Sequence, residues 1–360
     1  MSGASEGTAH GRSDLEGVLP AAGEVAVFEE EARSPLRRLH HFLHAYPTVV
    51  PFIVLLIGVA ALTALVGGRF FHPFNLSLIL QQVTIIGILG IAQTLIILTA
   101  GIDLSVGAIM VLSSIVMGRL AVVSGVPVEI SFPLGLLTGM ACGLVNGALV
   151  TRLKLPPFIV TLGTWSIFGA LVLFYSRSET LRQQDVEAAA AFLQWTGTAI
   201  SIDSARLTYG SILMILLAAL VWYVLNRTAF GRHVYATGDD PDAARLAGIN
   251  TSGTLLAVYT FAGLICALGG WVLIGRIGAV SPLAGQTANL DSITAVVIGG
   301  TSLFGGRGSI VGTLIGALIV GVFRNGLALA GLDALWQEFT VGVLIIVAVA
   351  LDQWIRRISA

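Results

Sequence analysis

The stretch Ser77–Leu98, SLILQQVTIIGILGIAQTLIIL, decides the fold. It holds no charged residue, and it is long enough to carry a helix across a hydrocarbon layer, which takes about 20 mostly apolar residues. Its polar members, Ser77, Gln81, Gln82, Thr84, Gln93 and Thr94, are all neutral. Working outward, similar runs occupy Thr48–Val66, Leu104–Ser124 (broken by Gly107 and Gly118), Val128–Val150, Phe158–Ser176 and Leu207–Leu225. Beyond a polar loop come Thr254–Ile274, Ala288–Leu303, Ile310–Ala330 and Glu338–Trp354. Ten spans predict an all-α polytopic membrane protein. They allow two bundles of four, spans 2–5 and 7–10, related by an inverted repeat, with spans 1 and 6 outside.

The composition excludes the alternatives. Of 360 residues, 56% are hydrophobic and 11% charged, with a mean hydropathy of +0.91; a soluble domain carries about 25% charged residues. Of the 39 charged residues, 11 lie in 1–46, seven in 177–207, six in 226–253 and three in the last nine positions. The net charge of −1 gives no concentrated basic face, so nucleic acid is not an expected partner. Cys142 and Cys266 stand alone in apolar runs and read as small buried hydrophobes.

Lys and Arg placement sets the expected orientation. With the N-terminus inside, the cytoplasmic side holds 12 of them and the other side seven, so both termini are expected in the cytoplasm. Residues 1–46 form a polar cytoplasmic tail without a signal-peptide h-region, and 47–356 the transmembrane domain. Within the tail, Val25–His44 mixes Phe28, Leu36, Leu39, Phe42 and Leu43 with charges, and reads either as an interfacial amphipathic helix or as a disordered segment. His40, His41 and His44 fit a membrane boundary better than a metal site.

Several chemistries lack their residues. The single lysine, Lys154, lies in TRLKLPP, and no GxxxxGK[ST] occurs, so this polypeptide cannot build a P-loop. No HExxH or Cys/His metal set occurs either, and neither an enzyme nor a bound metal is expected. FGGRGSIVG, Phe304–Gly312, is one residue off a dinucleotide fingerprint and lacks the acid that should follow it. Gly312 and Gly316, and Gly139, Gly143 and Gly147, instead form GxxxG seams where helices approach closely.

The loop between spans 6 and 7 reads NRTAFGRHVYATGDDPDAARLAGINTSG, residues 226–253. Asp240 can cap a short helix that starts at Pro241, runs through Ala243, Ala244, Leu246 and Ala247, and stops at Gly248. Such a helix reads equally as a peg for a groove on a partner protein and as a solvated connector.

Here the sequence resembles a known family. DAARLAGI, Asp242–Ile249, has the spacing of the "EAA" loop of ABC importer permeases, with Asp242 where the broad motif has glutamate. LTAGIDLSVGAIM (98–110), GLVNGALVTRLKLPPFIVTLGT (143–164) and AVVIGGTSLFGGRGSIVGTLIGA (295–317) resemble ribose-type sugar permeases, in the same order. The resemblance implies the ABC importer permease fold and a homodimer in the bacterial inner membrane. It also implies an ATPase subunit below, which would carry ATP and Mg, and a periplasmic sugar-binding protein above. It assigns ATPase coupling to Arg232, Gly238, Asp240, Asp242, Ala243, Ala244, Gly248 and Ile249.

Gln81, Gln82, Gln93, Asn146, Thr161 and Thr164 are candidates to line a path for a neutral monosaccharide, with Trp165 and Phe168 able to stack on it; each has interhelical bonding or lipid contact as its alternative. Asp103 and Asp291 are acids at membrane depth, read as holding helix breaks open or as touching sugar. Both halves carry a glycine-rich, acid-bearing break, around Gly101–Gly107 and Asp291–Gly308, as paired interruptions on a translocation path do. The expected function is the permease subunit of a binding-protein-dependent sugar importer of ribose or fructose type, working by alternating access. The alternative is an ion-coupled secondary transporter, for which Asp103 and Asp291 are the only available relay.

Overall fold

The computed structural model describes residues 48–359, so the predicted N-terminal tail lies outside the described residues. Apolar runs become long helices, since every backbone polar group in lipid must be satisfied within the segment. In order these are α1 (Val49–Val66), α2 (Pro73–Leu98), α3 (Val106–Gly118), α4 (Val128–Arg152) and α5 (Pro157–Ser176). A short helix α6 (Gln183–Ala190) leads to the hairpin β1 (Ala199–Ile202) and β2 (Ala205–Thr208). Then follow α7 (Tyr209–Arg227), α8 (Ala229–Asp239), α9 (Pro241–Leu246), α10 (Thr251–Ile277), α11 (Ala288–Ile298), α12 (Ile310–Leu329) and α13 (Ala334–Ser359).

Eight helical stretches among the described residues are long and apolar enough to cross a membrane. The predicted eighth and tenth spans are not among them. Instead of Ala288–Leu303, the helix stops at Ile298, because Gly299 caps it and Gly300 turns left-handed with φ +86°. The predicted third span also changes character. Gly107 does not break it, and at Gly118 the α-helix passes into a π-helical turn, Arg119–Val123.

The contact pattern is that of an inverted repeat. Exchanging α2, α3, α4 and α5 for α10, α11, α12 and α13 maps each main packing pair onto another: α4–α10 onto α12–α2, α3–α10 onto α11–α2, and α3–α5 onto α11–α13. The two copies run oppositely. The first turn of α2 meets the hairpin, where Ser77 Oγ accepts from Arg206 N–H at 2.7 Å, whereas α10 ends at that same side, with Gly278 carbonyl accepting from Gln194. The half-length helices α3 and α11 meet N-terminus to N-terminus inside the bundle, joined by Asn289 Nδ2 donating to the Leu104 carbonyl.

The predicted glycine seams carry this packing. A Cβ on Gly139 or Gly143 would collide with the backbone of Gly263 or Tyr259 on α10, and one on Gly312 or Gly316 with Gly299 or Ala295 on α11. Neutral hydroxyl pairs add interhelical bonds: Thr94 with Thr313 at 2.6 Å and Thr84 with Ser211 at 2.8 Å. Both cysteines are free and buried.

Candidate functional site

The loop 226–253 folds into two helices. Thr228 Oγ1 accepts from Gly231 N–H and starts α8, whose buried residues, Gly231, Val234, Thr237 and Gly238, lie on the bundle side. Asp240 Oδ1 then accepts from the Asp242 and Ala243 amides at 2.9 and 3.0 Å, with Pro241 in the first turn of α9. Gly248 ends it at φ +85°, the left-handed value that favours glycine, and Ile249 N–H returns to the Ala244 carbonyl at 3.0 Å. Asn250 Oδ1 caps α10 through Gly253 N–H, so no slack separates the elements.

The residues assigned to coupling do not share one face. Arg232, Asp240, Asp242, Ala243 and Gly248 are exposed, and Ile249 is half-buried. Ala244, at 4% exposure, turns inward, and Gly238 is buried. Leu246, which the sequence reading used only to propagate the helix, is 91% exposed. A leucine left in water at the tip of a capped helix, among alanines, was its only signal. The α8 helix was not anticipated either. Tyr235 on α8 donates to the Gly308 carbonyl at 3.0 Å, and burial raises its phenol above the usual value, so it remains a donor.

A second group holds the break between α2 and α3. Asp103, 2% exposed, accepts at Oδ1 from both the amide and the hydroxyl of Ser105, each at 2.6 Å. Asn146 Nδ2 donates to Ser105 Oγ at 2.8 Å and to Asp103 Oδ2 at 3.3 Å. The Gln93 amide, oriented to satisfy both groups, bridges the Asp103 carbonyl and N–H at 3.2 Å each. Thr161 Oγ1 donates to the Ile102 carbonyl at 3.0 Å. Gln93, Asp103, Asn146 and Thr161 thus converge, with Ser105 as the member sequence reasoning missed. Their bonds are spent on an irregular backbone at membrane depth, which is tolerated only where protein satisfies it. Asp103 caps Ser105 rather than the Val106 and Gly107 amides.

The remaining residues lie apart. Gln81 lines a cavity of about 120 Å³ at the hairpin end, with Thr84, Thr196, Arg206, Thr208 and Arg276. Gln82 is half-buried, and its Oε1 has no hydrogen-bond partner. Thr164 bonds back to the Thr161 carbonyl, Phe168 is buried, and Trp165 is 42% exposed on the outer face of α5. Asp291 sits in the first turn of α11, inside a helix rather than in a break; the second break is Gly299–Ser309. Its Oδ1 pairs with Arg324 Nη2 at 2.8 Å, Thr287 donates to its Oδ2, and Arg324 also reaches Glu338 at 2.9 Å. Among the described residues no three His, Cys, Asp or Glu side chains form a metal-binding group.

Comparison with known proteins gives this arrangement its context. The family model described as branched-chain amino acid transport system / permease component matches residues 75–349. The chain is 58% identical to the fructose import permease protein FrcC of Rhizobium meliloti, over 94% of each chain. It is 38% identical to the ribose import permease protein RbsC of Bacillus subtilis, over 90% of this chain and 98% of that one. It is 35% identical to the D-allose transport system permease protein AlsC of Escherichia coli, over 85% and 91%. No solved structure matches the chain significantly. A half-helix pair at the core of a polytopic bundle, a capped helical peg at one end and these relatives agree: the chain belongs to the branched-chain amino acid transport system / permease component family, as a membrane-spanning transport subunit rather than an enzyme.

Proposed function

We propose that this chain is the permease of an ATP-driven importer that takes a monosaccharide, fructose first, from a periplasmic sugar-binding protein into the cytoplasm. The relatives named for fructose, ribose and allose support the sugar class, and the 58% identity to the fructose permease ranks the ketohexose first. The single observation that carries the ATPase assignment is the α9 peg: a rigidly capped helix that holds Leu246 in solvent at 91% exposure. A leucine so placed gains free energy by entering an apolar groove, and the exposed Asp242 and Arg245 on the same short helix supply polar neighbours. The sequence has no P-loop, so hydrolysis belongs to another chain.

Two copies, with α8 and α9 and both termini on the cytoplasmic side, would place the pegs on two ATPase subunits. ATP-driven closure of those subunits then moves the pegs, and the copies exchange inward-open for outward-open states. Gln93, Asp103, Asn146 and Thr161 hold the chain break beside α3 during that exchange, and Gln81 stands at the sugar-entry end. An ion relay is disfavoured because Asp291 is already paired with Arg324.

The test is uptake of labelled fructose into proteoliposomes that contain the permease, its ATPase and its binding protein. Uptake should require ATP and survive an uncoupler. Uptake that persists without ATP and collapses with the proton gradient would overturn the assignment. Competition by unlabelled ribose and allose ranks the sugars.

A further inference from the structure

The docking helices must pass their motion to the bundle at some definite place, and the backbone shows where it is tightest. Gly238, in the last turn of α8, lies so close to the end of α2 that a Cβ there would collide with the Leu98 carbonyl oxygen. The same Cβ would stand 2.9 Å from the Gly306 nitrogen. Gly306 N–H donates to that same Leu98 carbonyl at 3.0 Å. A Cβ on Gly305 would lie 2.5 Å from the Gly238 carbonyl oxygen and 2.9 Å from the Ala100 nitrogen. Three residues before Gly238 in α8, Tyr235 donates its hydroxyl to the Gly308 carbonyl at 3.0 Å.

Three segments therefore meet with their backbones in close approach: the end of α8, the end of α2 and the turn Gly299–Ser309. Each of the last two is continuous with a half-helix. Leu98 leads through Asp103 into α3, and Gly299–Ser309 follows directly from α11. Contacts between close-packed backbones carry displacement, because neither partner has a flexible side chain to absorb it.

Building on the docking reading above, we propose that this junction is the transmission point of the permease, with Gly238 and Tyr235 as positioning residues that tie α8 to both half-helices at once. One movement of the docking helices then shifts α3 and α11 together, although they belong to opposite halves of the inverted repeat. Gly238, assigned to the ATPase contact from the sequence, acts beneath that surface.

The experiment measures ATP hydrolysed per sugar imported in proteoliposomes of the complete complex. Tyr235→Phe keeps the ring and removes only the bond to Gly308. The expected result is a ratio that rises about five-fold, the effect of one lost hydrogen bond on an equilibrium, in a complex that still assembles and hydrolyses ATP. An unchanged ratio, or hydrolysis and uptake falling in step, overturns the inference. Gly238→Ala should raise the ratio further; where it fails to insert, Tyr235→Phe decides alone. Leu246→Asp tests the docking reading separately, by co-purification of the ATPase. Retention of the ATPase in that variant would sink the docking reading, while the ratio in Tyr235→Phe still reads the junction.

Discussion

Asn289 Nδ2 donates to the Leu104 carbonyl at 3.2 Å, and with this one bond the two half-helices of the inverted repeat are joined at their beginnings. A Cβ added at Gly107 would sit 3.4 Å from the Asn289 nitrogen, so the α3 backbone also touches α11 directly. The centre of the molecule is thus two interrupted segments held against each other, whereas the long helices α2, α4, α10 and α12 pack around them.

Asn289→Ala leaves the Leu104 carbonyl without its partner in a partly buried setting. A loss of about 1–3 kcal/mol is expected, read as a lowered midpoint of thermal unfolding of the purified permease in detergent. Asn289→Asp should not restore it, because a carboxylate offers no donor to that carbonyl.

The Asp291–Arg324 pair lends itself to a double-mutant cycle. Their side chains are 8% and 20% exposed, so Arg324→Met leaves an unpaired carboxylate in the bundle and should cost about 3 kcal/mol. Adding Asp291→Asn should recover most of this. Glu338 is 50% exposed, and Glu338→Gln should change stability by less than about 1 kcal/mol. If Glu338→Gln costs as much as Arg324→Met, the burial argument fails.

Glycines divide into two classes with opposite expectations. Gly143→Val pushes a side chain into the Tyr259 backbone and should abolish accumulation of folded protein in the membrane. Gly163→Ala meets nothing within 4 Å and should leave the amount unchanged. Quantifying the membrane-inserted protein by fluorescence of a fused reporter separates them.

Ala100 closes α2 with φ +59°, a left-handed conformation that costs a residue with a Cβ about 1–2 kcal/mol. Ala100→Gly is expected to raise the unfolding midpoint, with uptake retained. A lowered midpoint would show that the Ala100 methyl group, which lies against Gly305, contributes more than its strain removes.

Much of this was readable from the residues, and the reason differs by place. The α9 boundaries follow from local chemistry, with Asp240, Pro241 and Gly248 each acting within a few residues. The seams at Gly139, Gly143, Gly312 and Gly316 were readable because only glycine lets two helix backbones touch in lipid. The eighth span was overextended because Thr301, Ser302 and Leu303 continue an uncharged run past Gly299 and Gly300, and hydropathy does not register a turn. The site residues were harder. Gln93, Asn146 and Thr161 looked like path-lining groups because neutral polar side chains serve a sugar and a distorted backbone equally well; only their partners tell the two apart. Ala244 faces inward although its motif suggested contact, and the outward residue is Leu246, since a six-residue helix has no periodicity long enough to assign a face.

The meeting of α3 and α11 has an electrostatic consequence. Each helix N-terminus carries the equivalent of roughly half a positive charge, and here two of them point at each other inside the bundle. Asp103, two residues before the Ser105 N-cap of α3, and Asp291, in the first turn of α11, stand where that positive potential is greatest. The two acids therefore set carboxyl groups against the positive ends of the peptide dipoles, and Asp291 faces the Arg324 guanidinium as well.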